Sequence, residues 1–199
     1  MPSIFETISG QLSDEYISPR SKESREWFLD KVDTIGRSLS RDALMRKPPV
    51  EKNVATVLPG MMYMFYYDPK HAATLPYYDS FPLVILLDIV EDGMIGLNLH
   101  YLPLELRQRL FYALLNRISG RDVNSETYLR ITLDLLKSGR EFKAYKPCLK
   151  KYLTKHIRGS IAKVPAPEWE IAIHLPTSLF RKQNESAVHR ESERIMERF

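Results

Sequence analysis

A single cysteine, Cys148, in 199 residues leaves no partner for an internal disulfide and rules out any cysteine-rich zinc site. No apolar run approaches the roughly 20 residues that a bilayer span requires. The longest, from Pro82 to Val90, is interrupted by Asp88. The opening residues, MPSIFETISGQLSDEY, lack the basic start and apolar stretch of a secretory signal, and the lone cysteine suits a cytosolic compartment or a particle assembled in one. Glycine is sparse, and the eight present form neither a Walker nor a Rossmann pattern, which argues against ATP- or NAD-dependent chemistry. The five histidines are scattered, with no H-E-x-x-H or other close metal-ligand spacing. The expectation is therefore a protein with no cofactor, no metal and no catalytic residues.

What the chain has instead is an aromatic, apolar centre and a concentrated block of positive charge. Its length suits one domain able to bury a core without staples. From Gly60 to Pro103 aromatic and branched residues alternate with turn signals at Asp68-Pro69, Leu75-Pro76 and Asp92-Gly93. This pattern predicts strands over 61–67, 83–90 and 94–100, the last two joined by a tight hairpin. Pro103 opens a helix with an apolar face of Leu104, Leu106, Leu110, Phe111, Leu114, Leu115 and Ile118, closed by Gly120. A second helix is expected over 125–139 and a third over 147–161, with Leu149, Leu153 and Ile157 as the buried stripe of the third. Residues 168–174 read as a short helix or turn. Near the N-terminus, Ser21 caps a helix carrying Trp27, Phe28 and Val32 and ending at Gly36. Residues 1–20 read as a polar arm, 37–53 as a basic, proline-broken loop, and 186–198 as a charged helix with little apolar surface. The resulting expectation is an α+β fold. A small antiparallel sheet, barrel-like or open, is covered by several helices and flanked by terminal arms. The divisions are an N-terminal arm and helix (1–53), a globular domain (54–180) and a charged tail (181–199).

The net charge is only +4, but its placement is uneven. Between Lys137 and Lys163 there are nine Lys and Arg against one acid, Glu141, a local balance of +8 that leaves −4 for the rest. On a helix, Lys151, Lys155 and Arg158 share one face, opposite the apolar stripe. Lys143, Lys146 and Lys150 add to the same field. Phosphate contacts need only such charges at reachable spacing. Phe142, Tyr145 and Tyr152 lie among them and could stack on bases exposed at a DNA end or a single strand. The competing reading is a solvated helix face, or one that meets an acidic protein surface. Lys143, Lys146, Lys150, Lys151, Lys155 and Arg158 are therefore the candidate nucleic-acid contacts.

Other constellations are weaker. Glu141-Phe142-Lys143 matches the end of a metal-dependent nuclease pattern, but Asp134 on a helix and Asp68 at a turn do not supply the usual upstream aspartate. Cys148 is flanked by Lys146, Lys150 and Lys151, which could lower its pKa, yet its position at an element start favours packing. His100 reads as a core histidine and His156 as part of the basic surface. Asp68, Asp79, Asp88, Glu91 and Asp92 sit near strand ends, where turn and edge roles are the default.

Several segments together resemble a family of virion proteins from T-even-type contractile-tailed bacteriophages. They are Ser18-Pro19-Arg20-Ser21 with the Trp27-Phe28 helix, Met62 to Lys70, Thr74 to Val84, Gly96 to Pro103, Phe142 to Cys148 with Lys150 to Leu153, and Glu168-Trp169-Glu170. The resemblance covers most of residues 18–180. It implies a non-enzymatic structural protein that binds or protects the genomic DNA end near the head–neck region and blocks a host exonuclease after injection. It also implies partners among other virion proteins, linear double-stranded DNA ends as ligand, no membrane, and residence in the virion after assembly in the host cytoplasm. A connector of the neck, tail or baseplate, making only protein contacts, would show the same arms and core.

Overall fold

The computed structural model describes residues 4–18, 21–46, 50–51, 56–116 and 145–198. Within them the chain forms helices α1 (Ile4–Asp14), α2 (Lys22–Ser38), α3 (Arg41–Arg46), α4 (Leu104–Asn116), α5 (Trp169–His174) and α6 (Glu185–Met196). The strands are β1 (Val50–Glu51), β2 (Met62–Tyr67), β3 (Tyr78–Asp79), β4 (Leu83–Val90), β5 (Gly93–Asn98), β6 (Leu149–Leu153), β7 (Ile157–Val164) and β8 (Phe180–Arg181). Five long strands and the short β1 make one antiparallel sheet in the order β1-β7-β2-β4-β5-β6. The short β3 and β8 pair separately.

The aromatic centre behaves as its alternation demands. In β2, Met62 and Met64 point to one face and Tyr63, Phe65 and Tyr67 to the other, and β4 divides in the same way into Leu83 and Ile85 against Val84 and Leu86. Val90 pairs with Gly93, so Glu91-Asp92 is the two-residue hairpin loop expected. The first face packs against the helices. It joins Phe5, Ile8 and Leu12 of α1, Trp27 and Phe28 of α2, Leu110 and Phe111 of α4, Ile171 and Ile173 of α5 and Val188 of α6 in one core. The second face holds a smaller, aromatic cluster.

The sheet is strongly curled but is not closed into a barrel. In a flat sheet β2 and β6, with β4 and β5 between them, would stand about 14 Å apart. Here the ring of Tyr152 lies 4.9 Å from Tyr67 and 5.1 Å from Phe65, edge to face. Thr154–His156, a single 3-10 turn, carries the chain from β6 to β7 although these strands pair at opposite sides of the sheet. Gly93 and Gly96 permit the close approach. A Cβ at Gly93 would stand 2.0 Å from the Tyr152 carbonyl oxygen, and one at Gly96 would stand 2.2 Å from Val84 Cγ1.

Several expectations are corrected. The helix foreseen over 147–161 is instead β6, the 3-10 turn and the start of β7. The open edges of β5 and β2 each take a strand from this segment, and the pairing overrides its helical spacing. Leu149, placed in a buried stripe, is 48% exposed. Residues 4–14 are a helix with Phe5, Ile8 and Leu12 buried, not a polar arm. Helix α2 runs through Gly36 to Ser38, while Ser21 Oγ accepts the Ser24 amide at 3.0 Å as the cap foreseen. The segment 37–53 contains α3 and β1. The third strand stops at Asn98, whose side chain caps the 3-10 turn Leu99–Tyr101. Helix α6 does bury apolar surface, through Val188, and its Asn184 caps it by accepting from the Ala187 amide at 2.8 Å. The helix foreseen over 125–139 and the Gly120 stop lie outside the described residues.

Candidate nucleic-acid interface

At one end of the curled sheet, on the aromatic face, lies a cavity of about 320 Å³. Four segments build it. The end of β2 contributes Tyr67. The loop after it contributes Lys70, His71, Leu75, Tyr77 and Tyr78. The end of β5 and the following turn contribute Asn98 and Tyr101, and β6 contributes Lys150, Lys151 and Tyr152. Five of its lining residues are tyrosines, its cations come from two separate segments, and the carboxylate of Asp79 borders it from below.

Each wall is held from behind. Tyr101 packs edge to face on Phe180 at 5.2 Å and tilts against Tyr77 at 6.0 Å. The loop that carries Lys70 and His71 is pinned by Lys182, whose ammonium donates to the Ala73 and Leu75 carbonyls at 2.6 and 2.9 Å. The Tyr67 hydroxyl accepts the Leu153 amide at 3.2 Å, tying β2 to β6.

Beneath the cavity is a buried polar junction with no signal in the sequence. Asp79 accepts the amides of Phe81 and Leu179, each at 3.0 Å, the Asn98 carboxamide at 3.1 Å and His100 Nδ1 at 2.7 Å. His100 Nε2 lies 2.7 Å from Thr177 Oγ1. Burial alone would raise the Asp79 carboxyl. The His100 ring and the donated hydrogen bonds outweigh it and hold the group below the usual carboxylate range. Burial pushes His100 down. The consistent state is an ionised Asp79 and a neutral His100, with Nδ1–H donating to Asp79 and Nε2 accepting from the Thr177 hydroxyl. The order acid–histidine–hydroxyl is that of a nucleophilic relay. Here, however, the His100 and Asp79 side chains are both 0% exposed and Thr177 is only 1% exposed, and of the three only Asp79 borders the cavity, so the hydroxyl in the nucleophile's place does not face it. It fastens β3, β5 and the 177–179 segment together. His100 is thus the core histidine expected, while Asp79 goes well beyond the turn role.

The predicted contact residues are only partly gathered. Lys150 and Lys151 meet at the cavity. Lys150 is half-buried, its ammonium 3.8 Å from the centre of the Tyr101 ring, and burial pulls its pKa down to about 8. Lys151 is exposed and lies 2.7 Å from Asp92. Lys155 is exposed in the 3-10 turn, and Arg158, at the start of β7, lies 2.9 Å from Asp68. Lys146 is exposed at the far end, in the 3-10 turn Lys146–Cys148. Lys143, Glu141, Phe142 and Asp134 lie outside the described residues. No helical ridge exists among the described candidates. An extended strand turns successive side chains apart, so Lys150 lies over Tyr101 and Lys151 beside Asp92 while both border the cavity, and the charges are spread along a line. The exposed ion pairs with Asp92 and Asp68 are weak and exchangeable, so they leave both cations available to another anion.

The remaining candidates resolve simply. Cys148 is buried, and burial pushes its thiol up to about 12, so the neighbouring lysines do not activate it. His156 Nδ1 donates to the Asp68 carbonyl at 2.8 Å. Among the described residues no three His, Cys, Asp or Glu side chains are grouped to hold a metal, and no helix is long and apolar enough to cross a membrane. A smaller cavity of about 200 Å³ lies among α2, α4 and α6, with Arg107, His174, Glu185 and His189 on its wall. Arg107 is tied there to the Ile173 and Leu102 carbonyls, and the acid Glu185 stands 4.0 Å away.

Fold and site together define an α+β protein with a basic, tyrosine-walled recess at one end of a curled sheet. The chain matches the phage T4 terminal DNA protecting protein family over residues 3–192 and belongs to it. Comparison with curated proteins and with solved structures returned no match. The likeness to T-even virion proteins seen in the sequence therefore pointed to the right family. The family's description names protection of terminal DNA and no catalysis.

Proposed function

We propose that this protein is a non-enzymatic component of the virion that binds the ends of the linear genome at the head–neck region and shields them from exonucleases. The observation that carries this reading is the meeting of Lys150 and Lys151 with a tyrosine-walled cavity, in a chain whose family protects terminal DNA. An exonuclease must engage a terminus, so a protein seated on that terminus blocks it without chemistry of its own. Lys150 and Lys151 neutralise phosphates at the mouth of the cavity. Lys146, Lys155 and Arg158 extend the positive line along the duplex, where binding needs charge but not sequence, and Lys143 is a further phosphate contact on the strength of its charge alone. The tyrosines favour an end over an internal segment, because only an end exposes base faces for stacking. Other virion proteins hold the protein in the particle.

Binding of a blunt linear duplex and of a closed circle of the same sequence, followed over a salt series, tests this reading. End protection requires tighter binding to the linear form, with log affinity falling by about 0.9 per neutralised phosphate for each unit of log salt. Equal, salt-sensitive binding to both forms would reduce the protein to a general polyanion surface. No binding to either at low salt would leave a connector of neck, tail or baseplate, making only protein contacts, as the better account.

A further inference from the structure

We propose that the tyrosine-walled cavity receives one unpaired terminal nucleotide of the DNA, its base stacked against Tyr77 and Tyr78 and its phosphate held by Lys150 and Lys151. This rests on the end-binding reading above and makes it specific.

Three observations converge on it. The first is size. A cavity of about 320 Å³ lies at the small end of the range for ligand pockets, suited to one nucleotide rather than to a longer strand or a duplex. The second is chemistry. Base faces stack on aromatic rings whatever the sequence, and phosphates seek ammonium groups. Tyr77 and Tyr78 are only half-buried, so their rings can still take a partner, and Lys150 and Lys151 of β6 line the same cavity, Lys151 in an exposed and exchangeable ion pair with Asp92. The third is a polar group left open. Tyr152 lines the cavity and is 3% exposed, yet its hydroxyl has no hydrogen-bond partner among the described residues. The Asn98 carboxamide, which donates to Asp79 at 3.1 Å, lies beside it and interacts with it only weakly. A buried hydroxyl without a partner destabilises a fold, and a phenylalanine of the same shape would avoid the cost. A base edge or phosphate oxygen entering the cavity supplies the missing partner.

The steric logic also fits an end. A paired, stacked base inside a duplex must be unpaired and flipped out, at an energetic cost, to enter the recess, whereas a terminal one needs only to fray. Capture would hold the terminal nucleotide out of a nuclease's reach while the flanking cations grip the duplex behind it.

The experiment uses the full chain and duplexes of one sequence: blunt, carrying a single unpaired 2-aminopurine nucleotide at one end, and closed into a circle. The expected result is about tenfold tighter binding of the duplex with the unpaired nucleotide than of the blunt one, with 2-aminopurine fluorescence quenched on binding. Tyr152→Phe should melt at a higher temperature than the parent and yet lose most of that tenfold preference. Lys150→Gln should lose it as well. If the unpaired nucleotide gains nothing, its fluorescence stays unchanged and both variants bind as the parent does, the cavity proposal is overturned. Should the linear forms still outbind the circle in that case, end binding survives without it. If the circle binds as well as every linear form, both readings fall together.

Discussion

The two faces of the curled sheet use aromatic and apolar residues to different ends. The face under the helices is packed with Met62, Met64, Leu83, Ile85 and Leu97, and its neighbours are Phe28, Leu110, Phe111 and Ile173, each at most 4% exposed. The other face carries Tyr63, Phe65, Tyr67 and Tyr152, ends in a cavity, and tolerates an unsatisfied hydroxyl and a half-buried lysine. The first arrangement approaches an optimum of burial, interrupted at its periphery by a cavity of about 200 Å³ among α2, α4 and α6 and by the Arg107 Nε and Ser192 Oγ atoms, which lack a hydrogen-bond partner among the described residues. The second departs from that optimum at several neighbouring points, and such local departures are expected where a surface serves binding. On the end-binding reading proposed above, stability and recognition fall on opposite sides of the same five strands.

Substitutions and pH can break or sharpen that division, beginning with the helix-covered face. Phe28 is fully buried, edge to face with Trp27 at 5.2 Å and stacked on His174 at 4.4 Å. Phe28→Ala should cost about 3–5 kcal/mol in chemical denaturation, while the folded fraction keeps its DNA affinity. His174 provides a pH handle on the same face. Its Nδ1–H donates to the Glu170 carbonyl at 2.6 Å, its Nε2 accepts from Gln108 at 2.6 Å, and burial lowers its pKa to about 4. An unfolded histidine takes up its proton near pH 6.5, so between pH 6.5 and 4 the unfolded chain binds more protons than the folded one. Stability should therefore fall as pH drops through that window, by about 3 kcal/mol from this residue, and His174→Gln should flatten that part of the curve.

The curl joins the two faces, and Gly96 tests it. Gly96→Ala places a methyl against Val84 Cγ1 and the Ile85 carbonyl, and should cost about 1–3 kcal/mol in thermal or chemical denaturation. Unlike Phe28→Ala, it should also weaken DNA binding, because Gly96 pairs with Lys150 and its strand forms the cavity wall. The smallest effect belongs to the recognition side alone. Lys150→Gln should leave the melting temperature nearly unchanged and weaken linear DNA binding about tenfold. Because burial lowers the Lys150 pKa to about 8, wild-type affinity should decline as pH rises through 8. Lys150→Arg, charged throughout, should not follow that decline in a binding titration.

Much of the helix-covered core was legible because local pattern and tertiary structure agree there. Strands 62–67 and 83–90 show period-two alternation, Asp92-Gly93 marks the hairpin, and Pro103 marks the start of α4. Where they conflict, pattern reading failed. Leu149, Leu153 and Ile157 recur every four residues and suggest a helix, but this segment meets two open sheet edges that no local window reveals. Further on, Ile161, Ala162 and Val164 are buried in β7, between Gly159 at φ +72° and Pro165, and these strand and break signals were available. The helix α1 was missed although Phe5, Ile8 and Leu12 form a visible i, i+3, i+7 stripe, because polar composition was weighted over spacing. At the candidate site, the charge block contained Lys150 and Lys151, which line one cavity. The cavity itself was not legible, since Tyr77, Tyr101 and Tyr152 come from distant segments. Nor was the Asp79–His100–Thr177 junction, whose members are separated by 21 and 77 residues and share no motif.

The central claim is that the aromatic, basic face shields a DNA end. The most direct measurement is the rate at which an exonuclease digests an end-labelled linear duplex in the presence of the parent protein or of a Lys150→Gln, Lys151→Gln double variant shown to be folded. The account predicts that the parent arrests digestion at stoichiometric concentrations and that the double variant leaves the end largely open. Equal protection by both would contradict it and move the DNA-binding surface elsewhere on the molecule.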